Sequence, residues 1–326
     1  LSSALRKLGK RILMVNGGYS VEFEDENLPG NFFADENPEF IIVEVDESDK
    51  SIKEFSPDYS ILLNIANDHY EKEVLQEVFA NFLNNTKKAA VLPYDLRQLA
   101  GNDLSLSFFS ETAVSAVAPA KVLFPENYHL SPAGCRFSLK AFPSPILLSQ
   151  SGLYSAWNAC AVLQMLLLLH QQALLTNSPN ELSASLFAFQ GIQQRFEIFA
   201  TAASVIPKIN DYAHNPEKLS AVIAAARERF GSPLQIFFQP HGYAPLAFMR
   251  STLKENLKEV LQENDEFIFL PVYYAGGSSS HSPSSSEVAQ EYQAAGLPVS
   301  WVVERKEAEK LIKANKQKRC LLVLGA

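Results

Sequence analysis

The chain has 326 residues, 47% of them hydrophobic and 20% charged, and a formal net charge of −8. That composition is globular and leaves room for about two domains. The acidic balance offers no basic stripe to neutralise phosphates, so neither nucleic acid nor an anionic membrane is an expected partner.

Three widely spaced cysteines, Cys135, Cys160 and Cys320, suit a reducing compartment better than a disulfide framework. The longest apolar run, residues 159–169, is shorter than the about 20 residues a bilayer span needs. No charged-then-apolar leader opens the chain. A soluble cytoplasmic protein, monomer or dimer, is expected. Residues 1–8 read as the tail of a helix, and 320–326 as a buried strand entering a Gly turn. Both ends therefore read as cuts within a larger protein.

In chain order, short apolar runs rich in β-branched residues at 11–15, 40–45, 59–65 and 89–92 predict strands. Between the last two lies a helix at 71–88, with Val74, Leu75, Val78, Phe79 and Phe82 on one face. Short strands and loops fill 104–148. A strongly apolar, buried helix is predicted over 155–175. Beyond a boundary near Gln193 the pattern alternates regularly. Strands at 203–209, 234–238, 266–271, 299–303 and 319–324 are separated by helices at 216–229, 245–262, 286–295 and 306–315. Such alternation implies a parallel sheet wrapped by helices. Residues 276–286, rich in Gly and Ser, form a flexible connection by composition.

The polar residues gather at predicted strand ends. Asp211, Tyr212 and His214 follow one strand, His241 the next, and Tyr273 and Tyr274 a third. In open α/β sheets ligands sit outside the carboxyl ends of the strands, so these clusters outline a crevice. We read His214 and His241 as lying on neighbouring strand ends. In the first half, residues 43–49 end a strand with Glu44, Asp46, Glu47 and Asp49. Carboxylates there suit Mg²⁺, which takes one or two protein oxygens and keeps its waters; a solvated acidic turn has the same pattern. His69 ends the next strand, as a metal ligand or a helix-start residue. Arg195, at the domain boundary, has the planar fork that suits phosphate, or is a surface Arg in a linker. Neither a G-x-x-x-x-G-K-[ST] nor a G-x-G-x-x-G loop is present.

Taken in order, Asn16-Gly-Gly18, Glu44 to Asp49, Asn64 to His69, Gly152 to Asn158, Gly191 to Glu197, Asp211 to Glu217, Phe238 to His241 and Val272 to Gly276 resemble the Mur ligase family. The resemblance implies an α/β chain with two parts: a central ATP-binding domain with a mixed sheet, residues 1–193, truncated at its start, and a C-terminal Rossmann-like ligase domain, residues 194–326, truncated at its end. It implies an ATP-dependent amide ligase of peptidoglycan precursor synthesis. That enzyme would join an amino acid, L-alanine first among them, to the carboxylate of UDP-N-acetylmuramate through an acyl phosphate. ATP and Mg²⁺ are the implied cofactors, and nucleotide-sugar and amino-acid substrates the implied partners. By the same resemblance Glu44 and His69 hold Mg²⁺ and act in catalysis with Arg195. Asn158, Arg195, Asp211, Tyr212 and His214 contact ATP, and His241 and Tyr273 line the substrate side. A hinge at Gln193 would deliver Arg195 to ATP. Three places depart from the family's pattern: Gly152-Leu-Tyr-Ser155, His214-Asn-Pro216, and Gly242 with Pro245 where relatives carry Arg. A murein-tripeptide ligase and a non-catalytic paralogue stay open beside the leading reading.

Overall fold

The structure is a computed structural model. It describes residues 1–46, 51–65, 72–101, 104–114, 121–131, 134–199, 206–274, 281–314 and 320–325. The chain divides into two compact units, Leu1–Ile192 and Gln193–Ala326.

The first unit contains α1 (Ser2–Lys7), β1 (Ile12–Val15), β2 (Phe32–Ala34), β3 (Phe40–Val43), β4 (Tyr59–Ile61), α2 (Lys72–Asn84), β5 (Ala89–Pro93), β6 (Ser105–Phe109), β7 (Val122–Leu123), β8 (Glu126–Ser131), β9 (Gly134–Ser138), β10 (Ile146–Leu148), α3 (Leu153–Gln171) and α4 (Pro179–Ser185). β1 lies between an antiparallel β2 and a parallel β3. Strands β4 to β7 form a parallel sheet in chain order, and β8 to β10 an antiparallel meander.

These sheets share a core built on α3. Ala156, Cys160, Leu163, Leu166 and Leu169 of α3 pack in one cluster with Ile12, Met14, Val91, Phe109, Phe137 and Ile146. Each fully buried Leu or Ile there contributes about 1.5–3 kcal/mol. By length and composition α3 is apolar enough to cross a membrane, but 56% of its apolar window is buried inside this unit. It is the core helix of the unit. It stops at Gln171, four residues short of the expected end, where Ala173 turns into the left-handed region at φ 58°. The expected helix at 71–88 is likewise shorter, Lys72–Asn84, and of its expected apolar face Leu75, Val78, Phe79 and Phe82 are buried while Val74 is exposed.

The second unit contains β11 (Glu197–Phe199), β12 (Lys208–Asp211), α5 (Pro216–Phe230), β13 (Leu234–Gln239), α6 (Tyr243–Val260), β14 (Glu266–Phe269), α7 (Ser285–Ala294), β15 (Val299–Trp301), α8 (Arg305–Ala314) and β16 (Cys320–Gly325). Its sheet runs β11-β12-β16-β13-β14-β15. Every pairing is parallel except β11 with β12, which is antiparallel. The sequence pattern gives no strand at 197–199, because a three-residue edge strand that is only partly buried shows neither an apolar run nor a clear alternation. The helices start where local chemistry places them. Asn215 accepts from the Lys218 backbone N–H with Pro216 at the first helical position, and α5 ends at Gly231, φ 80°. Ser284 and Glu287 form a reciprocal capping box at the start of α7.

Candidate functional site

Parallel strands bring their carboxyl ends to one side of the sheet. β12 ends on Asp211, and β13 on Gln239, two residues before His241. His214 and His241 do not follow neighbouring strands, contrary to the expectation. The last strand, β16, lies between: Leu324 pairs with both Asp211 and Phe238, and Gly325 with Gln239. Strand order in a sheet need not follow chain order, and the sequence carries no local sign of that insertion. β16 ends on Gly325 at φ 95°, where a Cβ would lie 2.1 Å from the Gln239 carbonyl oxygen. The side chains of β12 and β13 meet past that end.

The Tyr212 ring is the hub. The Arg195 guanidinium carbon lies 5.3 Å from its centroid, within cation–π range. The His214 ring centroid is 5.2 Å away at 70° and that of His241 6.0 Å away at 65°. His241 in turn packs at 5.5 Å on Tyr273, which is 46% exposed. The His214 Nδ1 lies 2.9 Å from the Tyr212 carbonyl oxygen, which fixes the ring's orientation. A second ring group is absent from the sequence reading: Tyr243, Tyr274 and His281 stand 5.9, 5.2 and 4.9 Å apart, pair by pair. Aromatic residues carry no signal of mutual contact until the fold brings strand end and helix start together.

Arg195 is held by an unusual turn. Gln194 and Phe196, on either side of it, both have left-handed backbones, at φ 56° and 49°. For non-Gly residues each such conformation costs about 1–3 kcal/mol and persists only where its surroundings enforce it. Here the Tyr212 N–H donates to the Gln194 carbonyl at 2.8 Å, and the Gln194 N–H to the Glu197 carboxylate at 2.9 Å. The Phe196 N–H donates to Asp211 Oδ2 at 2.6 Å, and the Ala213 N–H to Asp211 Oδ1 at 2.7 Å. Burial pushes the Asp211 carboxyl above its ordinary range, while the Phe196 and Ala213 amides and the charges of Arg195 and Lys218 pull it back.

In the first unit Glu44 follows β3. Its backbone N–H donates to the Val15 carbonyl at 2.9 Å, and its Oε2 accepts from the Gly17 N–H at 2.8 Å. Asn16 closes the same turn by donating to the Gly18 carbonyl at 2.8 Å. Gly18 is required there, since a Cβ would fall 2.6 Å from the Ile192 Cγ2. Glu44 is exposed, and this turn engages only its Oε2. An exposed carboxylate of this kind fits a cation that accepts one or two protein oxygens. His69, Glu47 and Asp49 lie outside the described residues. Among the described residues, three His, Cys, Asp or Glu side chains do not gather anywhere as a metal cluster. Asn158 is exposed in the second turn of α3.

The two departures at 242 and 245 are one structural choice. Gly242 caps α6 at φ 110°, and a Cβ on it would lie 3.2 Å from the Pro245 Cδ. A long side chain at 242 meets both a left-handed backbone and that ring.

Residues 194–326 match the family model "Mur ligase, glutamate ligase domain". The chain is 23% identical over 98% of its length to the UDP-N-acetylmuramate–L-alanine ligase of Fusobacterium nucleatum, covering 68% of that protein. It is 30% identical over 78% of its length to the enzyme of the same name from Leuconostoc mesenteroides, covering 56% of it. The crystal structure of UDP-N-acetylmuramate-alanine ligase from Thermotoga maritima superimposes over the whole chain with a TM-score of 0.72 at 23% identity, covering 68% of that protein. MurF from Acinetobacter baumannii gives the same TM-score at 14% identity. The chain thus spans from just over half to about two thirds of these relatives, 56% and 68% of the two named first.

Proposed function

We propose that this chain, whose second unit belongs to the Mur ligase family and whose fold throughout is that of the Mur ligases, is part of an ATP-dependent amide ligase that joins L-alanine to the carboxylate of UDP-N-acetylmuramate. The observation that carries the reading is the presentation of Arg195 against the Tyr212 ring, itself packed on His241 and, through His241, on Tyr273, at the carboxyl ends of the second unit's sheet. Relatives that bear this activity in their names align over nearly the whole chain.

In this reaction the γ-phosphoryl of ATP passes to a carboxylate oxygen, giving an acyl phosphate and ADP. The amino-acid amine then attacks the acyl carbon. The C–O bond to phosphate breaks, phosphate leaves with the electron pair, and the amine sheds a proton. The chemistry asks the protein for position and charge rather than for a nucleophile. Arg195 supplies an always-charged, planar fork for phosphate oxygens. Tyr212 and His214 flank the nucleotide, while His241 and Tyr273 face the acceptor. Asn158 is the adenine contact that the family resemblance implies. Glu44, with His69, would hold Mg²⁺, which when bound neutralises charge on the phosphates and the developing acyl phosphate.

The test uses the full-length protein and follows ADP and phosphate release together with amide product. Release is expected only when UDP-N-acetylmuramate, L-alanine and ATP are all present, and His69→Ala should abolish it while the fold persists. Lack of turnover with every muramoyl or related carboxylate and every amino acid would instead identify a non-catalytic paralogue. Gly242 and Pro245 favour one second reading, a different acceptor carboxylate. A murein-tripeptide form of the nucleotide sugar is therefore the next substrate in the screen.

A further inference from the structure

Two long stretches of the second unit carry no Asp, Glu, Lys or Arg, residues 230–249 and residues 267–286. The first contains β13 and the start of α6, the second nearly all of β14 and the start of α7. They are fastened to one another at the carboxyl end of the sheet. The Tyr273 N–H donates to the Pro240 carbonyl at 2.9 Å, and the Gln239 Nε2 to the Pro271 carbonyl at 3.1 Å. The Ser285 hydroxyl donates to the Leu270 carbonyl at 2.6 Å. The charges that border these stretches are engaged elsewhere. Arg250 and Lys254 pair with Glu291, and Glu287 closes the capping box of α7.

On this scaffold stand three rings. Tyr274 is 44% exposed and His281 is exposed, and both pack on Tyr243 at the first position of α6. Their planes are inclined at 57°, 72° and 86° to one another, with centroids 4.9–5.9 Å apart. Rings at that spacing touch, so they offer their outer faces rather than a gap between them. Such faces suit an uncharged ring. A pyranose turns C–H groups of partial positive charge to the electron-rich face of an aromatic ring, and its hydroxyls reach the phenol at the rim. These stretches offer a phosphate no lysine or arginine. The methyl group of alanine is too small to use a surface of three rings.

We propose that Tyr243, Tyr274 and His281 form a platform for the uncharged sugar ring of the acceptor, with Tyr274 and His281 as specificity-determining contacts. This rests on the ligase reading above and names the group that the acceptor side recognises. Gly242 and Pro245, where relatives carry Arg, stand on either side of Tyr243 in the chain. A ring held by ring faces replaces an anion held by cations.

The test uses the full-length protein with UDP-N-acetylmuramate, L-alanine and ATP. Tyr274→Ala is expected to raise the KM for UDP-N-acetylmuramate about tenfold, as loss of one stacked ring does, with the KM for ATP, the KM for L-alanine and the melting temperature unchanged. Tyr274→Phe keeps the face and should match the wild type. Tyr274→Lys separates a ring site from an anion site: it should be as poor as Tyr274→Ala. The proposal is overturned by an acceptor KM that Tyr274→Ala leaves unchanged, that Tyr274→Lys lowers, or that Tyr274→Phe raises as far as Tyr274→Ala does. A shift in the L-alanine KM alone also overturns it. Should Tyr274→Ala fail to fold, His281→Ala should raise the same KM, and an unchanged KM there counts against the platform.

Saturation-transfer NMR with N-acetylmuramic acid, which has the sugar ring and the carboxylate but no phosphate, reads the contact without turnover. Transfer to its ring C–H protons is expected in the wild type and should fall in Tyr274→Ala, while inorganic pyrophosphate should leave it in place. No transfer in the wild type, full transfer in Tyr274→Ala, or displacement by pyrophosphate overturns the proposal. A wild type without turnover on any acceptor would sink the ligase reading alone, and the transfer data would still decide the platform.

Discussion

Asp211 and Asp265 stand at opposite ends of the second unit's parallel sheet, one at the carboxyl end of β12 and the other just before β14. Both are buried, 6% and 2% exposed, and both accept from two backbone amides. Asp265 takes the N–H of Leu234 at 2.7 Å and that of Gln262 at 2.9 Å. The difference lies in the neighbouring arginine. Arg227 closes directly onto Asp265 in a part-buried ion pair, so its charge is consumed. Arg195 lies over the Tyr212 ring instead, and among the described residues it closes onto no carboxylate in an ion pair as Arg227 does. The same device, a carboxylate gripping backbone amides, fastens the sheet at one end and aims a cation at the other. In parallel sheets the carboxyl end is where ligands bind, and that is where Arg195 stands.

The comparison breaks most visibly at Asp265. Asp265→Ala strands a guanidinium and two amides, and removing one partner of a buried pair costs about 3–5 kcal/mol. Denaturant unfolding should show that loss. A cost no greater than that of a surface substitution would mean that the Arg227 pair fastens nothing.

Asp211 should behave differently, and pH exposes the difference. Its carboxyl is raised above its ordinary value of 3.8, chiefly by burial. A group whose folded pKa is raised contributes stability that is complete below the ordinary value and is lost as pH rises through the folded one. The wild type should therefore lose stability relative to Asp211→Asn as pH climbs from below 3.8 through that raised value. Thermal melts of both proteins across this range test it. A gap that widens in favour of the wild type with rising pH would reverse the assigned sign.

A helix cap away from both aspartates sets the scale. Ser284 Oγ accepts the Glu287 N–H at 3.2 Å, and the Ser284 N–H donates to the Glu287 carboxylate at 2.6 Å. Ser284→Ala should cost about 1 kcal/mol, well under Asp265→Ala, and should leave the nucleotide KM unchanged. The smallest effect belongs to Glu287→Gln. The Ser284 backbone bond holds the Glu287 carboxyl below its ordinary value of 4.5. A depressed carboxyl contributes stability above the ordinary value and loses it as pH falls through the folded one. The acid side of the stability profile should flatten slightly in Glu287→Gln, and an unaltered profile would show that the exposed box is screened out by solvent.

Much of the second unit was legible in the sequence. Helix α5 begins at the expected Pro216, because Asn215 and Pro216 are local start signals, and α7 and α8 begin within one residue of expectation. α6 begins at Tyr243, two residues before the expected start, since Gly242 rather than Pro245 is its cap. The candidate residues after β12, β13 and β14 were visible as polar breaks in apolar runs. The Asp265 network was not, because its partners Arg227, Leu234 and Gln262 are scattered along the chain and carry no shared period. Nor did any local signal mark the left-handed backbones of Gln194 and Phe196, residue types that rarely adopt them.

The sequence alone determined where strands and helices alternate, which residues face the core, and which polar side chains fall at strand ends. Those follow from periodicity and capping, which act over a few neighbouring residues. Only the tertiary structure decided that β16 enters between β12 and β13, that Tyr212 touches Arg195, His214 and His241 together, and that Asp211 grips the turn. Those depend on pairings between distant segments. Burial enforces them, because an unpaired amide or carboxylate inside the protein costs more than the strain of the turn that satisfies it.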